Sequence, residues 1–427
     1  MKKRILLKGP ILSRSGYGEQ ARFALRSLMS RQDIFDIFAF NIPWGKTGWI
    51  WENNEERKMI DELLFKTVTL PEGQREFDAT IQVTIPNEFE KLAPINIGYT
   101  AGIETDRIAP EWIQKSTIMD KIIVVSEHSK DVYDGTGYKL ELASGETREL
   151  KNTTPVEYVN YPNRLQSPDK NFGIDFDSDF NFLVVSQWGP RKNIENTIKW
   201  FVEEFREENV GMVLKIFSMN CSTPDFHVTR DNLSRFITSL GEKKCHIHLL
   251  HGDLTDGQMS ALYNHNKVKA LVTATHGEGF GLTMFEASCA GLPVIAPDWS
   301  GHKDFLYGTV KTTRKGKTRE KIKPLFTKID YSMGDVQKET IWPGVIPEGS
   351  RWCYPAEKSY KDSLRSVYKN HGPPLSLARK LKKINLERFT EDKMNAEFIE
   401  NILSVPGMAV SEEDMEWIKE LDKIEIL

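Results

Sequence analysis

Short apolar runs alternate with longer segments of helical periodicity along most of the chain. The clearest runs, each ending near glycine, proline, serine or asparagine, are residues 5–7, 122–125, 182–185, 212–217, 270–273 and 293–296. Between them, residues 194–205 and 256–263 repeat apolar side chains at the spacing of one helix face. This alternation is typical of βαβ units, so it predicts an α/β fold with doubly wound parallel sheets.

A change in composition divides the chain into two series of such units. Proline, asparagine and aspartate concentrate between residues 145 and 181, where the first series gives way to the second. A length of 427 residues also exceeds what one ordinary hydrophobic core supports. We therefore predict a first domain of residues 1–164 and a second of residues 165–405.

Two further segments do not follow the βα pattern. Residues 308–350 lack clean periodicity and begin with a basic run, so we interpret them as an insertion in the second domain. Residues 406–427 carry apolar side chains at helical spacing on an acidic background, which predicts a separate C-terminal helix.

Overall composition is that of an ordinary globular protein, with 39% hydrophobic and 28% charged residues. The net charge of −4 gives no global attraction to nucleic acid or to an anionic membrane. Such a partner would need a local basic patch. The apolar run at the N-terminus stops at Leu7, before signal-peptide length, and no segment approaches a transmembrane span.

The cysteines argue against a metal-binding or disulfide framework. They stand far apart, without a C-x-x-C pair, at Cys221, Cys245, Cys289 and Cys353. We expect free thiols and a cytoplasmic location.

The segment with the clearest chemistry follows the run at 270–273. Gly279 and Gly281 allow a ligand to approach the backbone closely, and a helix beginning near Leu282 favours negative charge at its N-terminus. These features predict a diphosphate cradle. Glu278 in the turn and Glu286 on the helix stand eight positions apart, so the two carboxylates can reach opposite ends of one ligand.

These residues resemble the E-x7-E motif of retaining glycosyltransferase family 4, the glycosyl transferases group 1 of GT-B fold. The match comprises Glu-Gly-Phe-Gly-Leu from Glu278 and Glu-Ala-x-x-Ala-Gly-Leu-Pro-Val-Ile-Ala from Glu286. The resemblance implies two Rossmann-like doubly wound domains facing across a cleft, with the acceptor on the first, the donor on the second and the C-terminal helix crossing back to the first.

The resemblance also implies an activity and a set of site residues. The expected reaction is transfer, with retention, from a nucleotide-diphosphate sugar to an acceptor hydroxyl, without a metal or other cofactor. Glu278 would contact the transferred sugar and Glu286 the ribose hydroxyls. The diphosphate would be held by Gly279, Phe280, Gly281, Leu282 and Thr283.

A basic turn after the run at 182–185 is similar to the family's phosphate-contacting element. Lys192 fits the family's lysine position, and Arg191 stands beside it, so both are candidates to neutralise the leaving diphosphate in catalysis. Gln187 stands where the family usually has arginine, which leaves open whether Arg191 substitutes for it. The alternative is a solvated Arg-Lys pair at a helix start.

In the first domain, two loops are candidates for ligand contacts. Gly16 and Gly18 follow the first strand and resemble the family's first glycine-rich loop, whose backbone amides would face the donor phosphates. Glu104 and Asp106 lie in a block that resembles a sub-group of the family. They are equally candidate acceptor contacts or helix caps.

Two patterns could suggest a metal site. Histidines at 246, 248 and 251 are interpreted as strand residues, because zinc would need further ligands. Asp175 and Asp177 form a D-x-D triplet that precedes a strand instead of following one. We therefore predict no metal site.

The basic run at residues 311–323 is the candidate contact for an acceptor. It holds seven lysines or arginines and one glutamate, a local charge of +6 in a chain of net charge −4. A solvated flexible loop is one interpretation. The other is a polyanion contact made by Arg314, Lys315, Lys317 and Arg319.

The sequence as a whole also resembles glycosyltransferases encoded by large tailed bacteriophages, some of which glycosylate hydroxymethylated bases in their own DNA. That resemblance makes a modified DNA base in the host cytoplasm the first acceptor to consider, with a polysaccharide or lipid-linked glycan as the alternative. A non-catalytic nucleotide-sugar-binding protein of the same fold, or a phosphorylase or epimerase, stays open at this point.

Overall fold

The structure, a computed structural model, describes residues 2–141, 145–314 and 317–409, with side chains outside 312–318. The described chain forms two compact units. The first unit comprises residues 2–162, 337–350 and 389–409, and the second comprises residues 163–336 and 351–388.

The first unit is built on a six-stranded parallel sheet with the order β2-β1-β3-β4-β5-β8. An antiparallel hairpin, β6-β7, precedes the last strand. The strands are β1 (Lys3–Gly9), β2 (Phe35–Asn41), β3 (Ala79–Val83), β4 (Ile95–Tyr99), β5 (Lys121–Val124), β6 (Gly137–Glu141), β7 (Thr147–Lys151) and β8 (Val156–Tyr158). The helices between them are α1 (Gly16–Met29), α2 (Glu55–Val68), α3 (Pro110–Ser116) and α4 (Glu127–Gly135).

The second unit contains another six-stranded parallel sheet and two antiparallel hairpins. Its strands are β9 (Asn181–Gln187), β10 (Gly211–Phe217), β11 (His246–Leu250), β12 (Val268–Val272), β13 (Val294–Pro297), β14 (Tyr307–Arg314), β15 (Lys317–Pro324), β16 (Thr327–Ile329), β17 (Tyr331–Asp335) and β18 (Arg351–Pro355). Its helices are α5 (Ile194–Phe205), α6 (Thr223–Ser239), α7 (Asp256–Tyr263), α8 (Leu282–Ala290), α9 (Lys303–Leu306), α10 (Glu357–Lys369) and α11 (Gly372–Arg388).

The strand order of the second unit places a topological switch between β9 and β12. The order is β11-β10-β9-β12-β13-β16, so β10 and β11 extend the sheet on one side of β9, and β12, β13 and β16 extend it on the other. The connections after these two neighbouring strands therefore diverge and leave a crevice at the carboxyl edge of the sheet. Ligands of open α/β sheets bind in such a crevice.

The predicted α/β fold with two doubly wound domains is confirmed. Each apolar run lies in or against a parallel strand, and the predicted helices 194–205 and 256–263 coincide with α5 and α7. Strands buried on both faces read as continuous apolar runs, and in β3 all five residues are buried. In the part of the chain that the structure describes, no helix has the length and hydropathy to cross a membrane. All four cysteines are free thiols.

Residues 308–350, interpreted as one insertion in the second domain, do not form a single inserted element. The basic run folds as the β14-β15 hairpin, and β16 pairs with β13 as the sixth strand of the sheet. Residues 337–350, which the predicted boundaries assign to the second domain, cluster with the first unit. Charged side chains on both faces of a ribbon leave no alternation of apolar and polar positions, so periodicity could not reveal the hairpin.

The chain returns to the first unit earlier than the predicted boundary at 406. Helix α12 (Glu391–Leu403) packs against α1, where Phe398 lies 5.5 Å from Phe23 between ring centroids. Ser27 also donates a 2.8 Å hydrogen bond to Asn395. Residues 410–427, which hold the predicted C-terminal helix, lie outside the described residues.

Candidate active site

The candidate site lies at the carboxyl ends of β9 and β12, the two strands at the switch point. A 3₁₀ turn, Pro190–Lys192, follows β9 and places the two predicted cations at this edge. Residues 273–281 follow β12 and carry Glu278 to the same edge. Strand pairing thus brings together side chains that stand 86 residues apart.

Hydrogen bonds tie these two connections to each other. The amide of His276 donates to the carbonyl of Arg191 at 2.9 Å. Asn193, which adopts a left-handed backbone conformation at the end of the 3₁₀ turn, donates its side-chain amide to the carbonyl of Ala274 at 3.1 Å. The two loops therefore form one ordered surface, and the basic pair is not simply a solvated helix start.

Glu278 forms an ion cluster with Lys192 and Arg191. The Lys192 ammonium lies 2.5 Å from one carboxylate oxygen, and an Arg191 guanidinium nitrogen lies 3.2 Å from the other. Arg191 also donates to the carbonyl of Gly277 at 2.6 Å. Glu278 is only 8% exposed, whereas both cations keep part of their side chains in solvent.

The cluster keeps Glu278 ionised. Burial by itself raises the pKa of the Glu278 carboxyl, but the charges of Lys192 and Arg191 and the hydrogen bond from Lys192 outweigh burial and lower that pKa to about 2. At neutral pH the site therefore holds a buried carboxylate beside two cations.

The backbone of Glu278 is held by the loop after β13. Its amide donates to the Ser300 hydroxyl at 2.8 Å, and its carbonyl accepts from the amide of Gly301 at 3.0 Å. Ser300 has a φ of 75°, a left-handed conformation that costs free energy for a residue with a Cβ. His302, fully buried, donates from Nε2 to the carbonyl of Pro297 and stabilises this loop. No local sequence pattern reveals these supports, because they join segments that are separate along the chain.

A second support comes from β18. His276 donates from Nδ1 to the carbonyl of Cys353 at 2.7 Å, and the Cys353 amide donates back to the His276 carbonyl at 3.1 Å. Trp352 stacks on the His276 ring at 4.9 Å between centroids, with 12° between the planes. The Glu278 loop is thus held on two sides by segments distant in sequence.

Helix α8 begins where the motif predicts. Gly281 is its N-cap with a φ of 96°, and a side chain there would be strained. Leu282 and Thr283 form the first turn, whose backbone amides point out of the helix N-terminus and favour an anion. Phe280 is buried against Phe285 and Phe305, so its side chain anchors the turn in the core instead of facing a ligand.

Glu286 lies on the second turn of α8 and is half-buried. The Tyr263 hydroxyl, at the end of α7, donates a 2.7 Å hydrogen bond to one Glu286 carboxylate oxygen.

Gln187, at the end of β9, donates its amide to the carbonyl of Ser218 at 3.0 Å. Gln187 occupies the position where the family usually has arginine, and it carries no charge. Besides Lys192, the cation that contacts Glu278 is Arg191.

In the first unit, Gly16 and Gly18 lie in the first turn of α1, not in the predicted loop, and Tyr17 stands between them. The Tyr17 hydroxyl bonds to the Thr100 hydroxyl at 2.8 Å and accepts from the amide of Ala101 at 3.3 Å, so this first turn lies beside the loop after β4. Gly18 donates its amide to Ser15, and a Cβ there would lie 1.9 Å from the Ser13 carbonyl oxygen. Gly18 is therefore needed for close packing. A Cβ on Gly16 would meet open space.

Glu104 and Asp106 lie half-buried in the loop between β4 and α3. They do not cap the following helix, because the N-cap of α3 is Ala109 and that cap has no side-chain hydrogen bond. Asp106 pairs with Arg107 at 3.4 Å. Acceptor contact by these residues stays a prediction.

Four of the five residues considered as metal ligands have charged or histidine neighbours. Asp175 pairs with Lys267 at 2.7 Å, and Asp177 lies 3.8 Å from His246 and 3.9 Å from His248. Among the residues that the structure describes, no group of three or more histidine, cysteine or acidic side chains is placed to hold a metal ion.

The four basic acceptor candidates belong to the β14-β15 hairpin. Arg314 and Lys317 are register partners at its tip, and Arg319, opposite Thr312, is exposed. Lys315 lies outside the described residues. Lys311 and Glu320 form a cross-strand ion pair at 3.0 Å, both largely exposed.

Comparison with known proteins matches one family to the part of the chain that contains this site. Residues 169–310, a third of the chain, match the family of glycosyl transferases group 1. This match covers β9 to β13 with the ion cluster, Glu286 and α8. No curated protein matches the sequence.

Solved structures resemble most of the chain in fold. A sucrose-phosphate synthase from Thermosynechococcus elongatus superposes with a TM-score of 0.59 and 11% identity, over 93% of this chain and 98% of that one. A lipopolysaccharide outer core galactosyltransferase, WaaB, gives 0.54 and 14%, over 95% and 99%. HepE from Anabaena, solved with UDP and glucose, gives 0.51 and 12%, over 94% and 100%. The fold is therefore the GT-B fold of glycosyltransferases.

Proposed function

We propose that this chain is a glycosyltransferase that moves a sugar from a nucleotide-diphosphate sugar to an acceptor hydroxyl. The observation that carries the proposal is the ion cluster of Glu278, Lys192 and Arg191. The cluster lies at the switch point between β9 and β12, and Glu278 shortly precedes the N-terminus of α8 in the chain. Two fixed cations and a helix N-terminus suit a diphosphate. An ionised carboxylate at the same point suits the hydroxyls of a sugar.

The ion cluster suggests how the donor is accepted. The incoming diphosphate replaces the Glu278 carboxylate as partner of Lys192 and Arg191, and the carboxylate then accepts hydrogen bonds from the sugar. As the bond between the sugar C1 and the phosphate oxygen breaks, negative charge grows on the departing diphosphate. Cations held in place before reaction stabilise that charge without reorganisation.

The proposal extends to the stereochemistry of transfer. The resemblance of the Glu278 and Glu286 segment to retaining enzymes supports retention at the anomeric carbon. The acceptor oxygen forms the new bond to C1 on the face that the diphosphate leaves, and the acceptor proton passes to the departing phosphate oxygen. The anomeric configuration of the product, read by NMR, tests this step.

A donor screen tests the function itself. HepE, a protein of this fold, was solved with UDP and glucose, which makes UDP-glucose the first donor to try. We would incubate the protein with UDP-, GDP- and ADP-sugars and measure released nucleoside diphosphate and binding. Binding without turnover across acceptors would favour a non-catalytic binding protein. If the protein shows no binding and no turnover with any of these donors, the proposal is ruled out.

We also propose that transfer needs no metal ion, since Lys192 and Arg191 supply the positive charge that a metal would bring to the diphosphate. Asp175, the first residue of the Asp175-Phe-Asp177 triplet, is already paired with Lys267. We expect the initial rate to be unchanged in excess EDTA. Loss of activity that Mg²⁺ or Mn²⁺ restores would show that carboxylates such as Asp175 and Asp177 bind a metal ion needed for transfer.

For the acceptor we propose a hydroxymethylated base in duplex DNA, which places the reaction in the cytoplasm. The support is the β14-β15 hairpin, two paired strands of eight residues with a strong positive charge. The major groove of DNA admits a two-stranded ribbon of this kind. The resemblance to bacteriophage enzymes supports the same acceptor.

Salt dependence of DNA binding tests the acceptor. We would replace Arg314, Lys315, Lys317 and Arg319 by glutamine. The slope of log affinity against log salt concentration should become less negative by up to about 3 to 4, because each phosphate contact contributes about 0.9 to that slope. A matched control neutralises four exposed basic residues on α10 and α11, namely Lys369, Arg379, Lys380 and Lys383. An equal change in both variants, or transfer to a neutral glycan without DNA binding, would contradict a DNA acceptor.

A further inference from the structure

Tyr263 contacts Glu286 from an element outside the E-x7-E motif. It is the last residue of α7, 23 positions before Glu286, and is 2% exposed. Its hydroxyl lies 2.7 Å from a carboxylate oxygen of Glu286. The contact therefore joins two helices of the second unit at one of the predicted donor contacts.

The direction of this hydrogen bond is determined by chemistry. Burial, together with the neighbouring charge of Glu286, raises the pKa of Tyr263 well above its usual value, so the phenol keeps its proton. An ionised carboxylate only accepts hydrogen bonds. Tyr263 therefore donates, and its single proton constrains how the Glu286 carboxylate rotates about its last bond.

The phenol itself is held rigidly. Helix α7 starts with a capping box in which Thr255 and Gln258 satisfy each other's backbone amides. The ring of Tyr263 is enclosed at the far end of the helix. A rigid donor loses little entropy when it orients a second side chain such as that of Glu286.

We propose that Tyr263 is a positioning residue that orients Glu286 toward the ribose hydroxyls of the donor nucleotide, and so sets the preference for a ribonucleotide over a 2′-deoxyribonucleotide. This inference rests on the proposed function, in which Glu286 binds the ribose. Tyr263 acts only through Glu286. Removing its hydroxyl should therefore weaken recognition of the sugar hydroxyls and leave recognition of the base and the diphosphate unchanged.

The test measures nucleotide binding by calorimetry and needs no acceptor. Whichever of UDP, GDP and ADP binds the wild-type protein most tightly is compared with its 2′-deoxy counterpart. Tyr263→Phe should weaken binding of the ribonucleotide by about tenfold, the equivalent of one hydrogen bond to a charged group, and should change binding of the deoxy counterpart less. In a Glu286→Gln background, Tyr263→Phe should add no further loss of discrimination.

Tyr360→Phe is the matched control. Tyr360 is also a fully buried tyrosine of the second unit, and its hydroxyl donates to the carbonyl of Thr197 at 3.0 Å. Both variants lose one buried phenol hydrogen bond, so both should lower the melting temperature. Only Tyr263→Phe should change the ratio of the two nucleotide affinities.

The outcomes separate this inference from the proposed function. If Glu286→Gln leaves the ratio unchanged, the assignment of Glu286 to the ribose is wrong and the role of Tyr263 falls with it. If Glu286→Gln lowers the ratio but Tyr263→Phe does not, Tyr263 is not a positioning residue although Glu286 binds the ribose. Equal weakening of both nucleotides by Tyr263→Phe would indicate a structural role and would also overturn the inference.

Discussion

Replacing Glu278 by glutamine should lower kcat/KM by about 10²- to 10³-fold, the size of effect seen when one preorganised polar contact to the reacting group is lost. Glutamine keeps the shape of the side chain but has no charge and only one acceptor oxygen. The sugar then loses its ionised partner, and Lys192 and Arg191 lose the carboxylate that orders them. Initial rates over a range of donor concentrations measure the effect.

Folding should survive this substitution. Both cations keep part of their side chains in solvent, so neither is left buried and unpaired. Glu204→Gln is a suitable control, because Glu204 pairs with Arg365 at 2.5 Å in the same unit, away from the two loops of the site. Near-normal turnover by Glu278→Gln, or an equal loss in the control, would remove Glu278 from the catalytic site.

Acid stability gives a second measurement on the same variant. The pKa of Glu278 is about 2 in the folded protein and 4.5 for an ordinary glutamate, so its charge stabilises the fold above about pH 4.5. That stabilising contribution is lost as the pH falls from about 4.5 towards 2. The melting temperature of Glu278→Gln should therefore decrease less between about pH 5 and pH 3 than that of the wild type.

Replacing Lys192 by methionine should also lower kcat/KM by about 10²- to 10³-fold, because the leaving diphosphate loses a preorganised cation. Methionine keeps the length and apolar stem of lysine, which isolates the effect of charge. The substitution removes the largest influence that lowers the pKa of Glu278, so that pKa should rise. Activity should then decline at a higher pH on the acid side than in the wild type.

Affinity for the nucleoside diphosphate distinguishes this role from a structural one. Lys192→Met should weaken diphosphate binding strongly, and Lys192→Arg should restore part of it because the positive charge returns. Lys361→Met is the matched control, since Lys361 on α10 pairs with Glu203 on α5 at 2.6 Å in the same unit. Unchanged diphosphate affinity in Lys192→Met would show that the lysine serves only to hold Glu278.

Local sequence patterns were sufficient for much of the fold. Strands buried on both faces must be apolar throughout, so the runs at 182–185, 212–217 and 270–273 appear directly in the sequence. Helices α5 and α7 carry one apolar face and were predicted with their observed ends. The glycines around Glu278 and the start of α8 belong to one short segment, whose chemistry is readable without the rest of the chain.

Charge patterns were less informative than apolar ones. The run from Lys311 to Lys323 contains few apolar residues, so the periodicity of the sequence could not distinguish a strand from a loop. Pairing of β14 with β15 depends on partners across the turn. The short strand β16 has only three residues, too few for a pattern, and is a strand because β13 is its neighbour.

The sequence alone determined the class of fold, the E-x7-E motif and the candidate cations, because burial and turn formation depend on neighbouring residues. Only the tertiary structure decided which of these residues meet. Strand order, a nonlocal property, places Lys192 and Arg191 against Glu278, and the strained loop at Ser300 holds its backbone. The bond from Tyr263 to Glu286 likewise depends on how α7 and α8 lie against each other, which no spacing along the chain specifies.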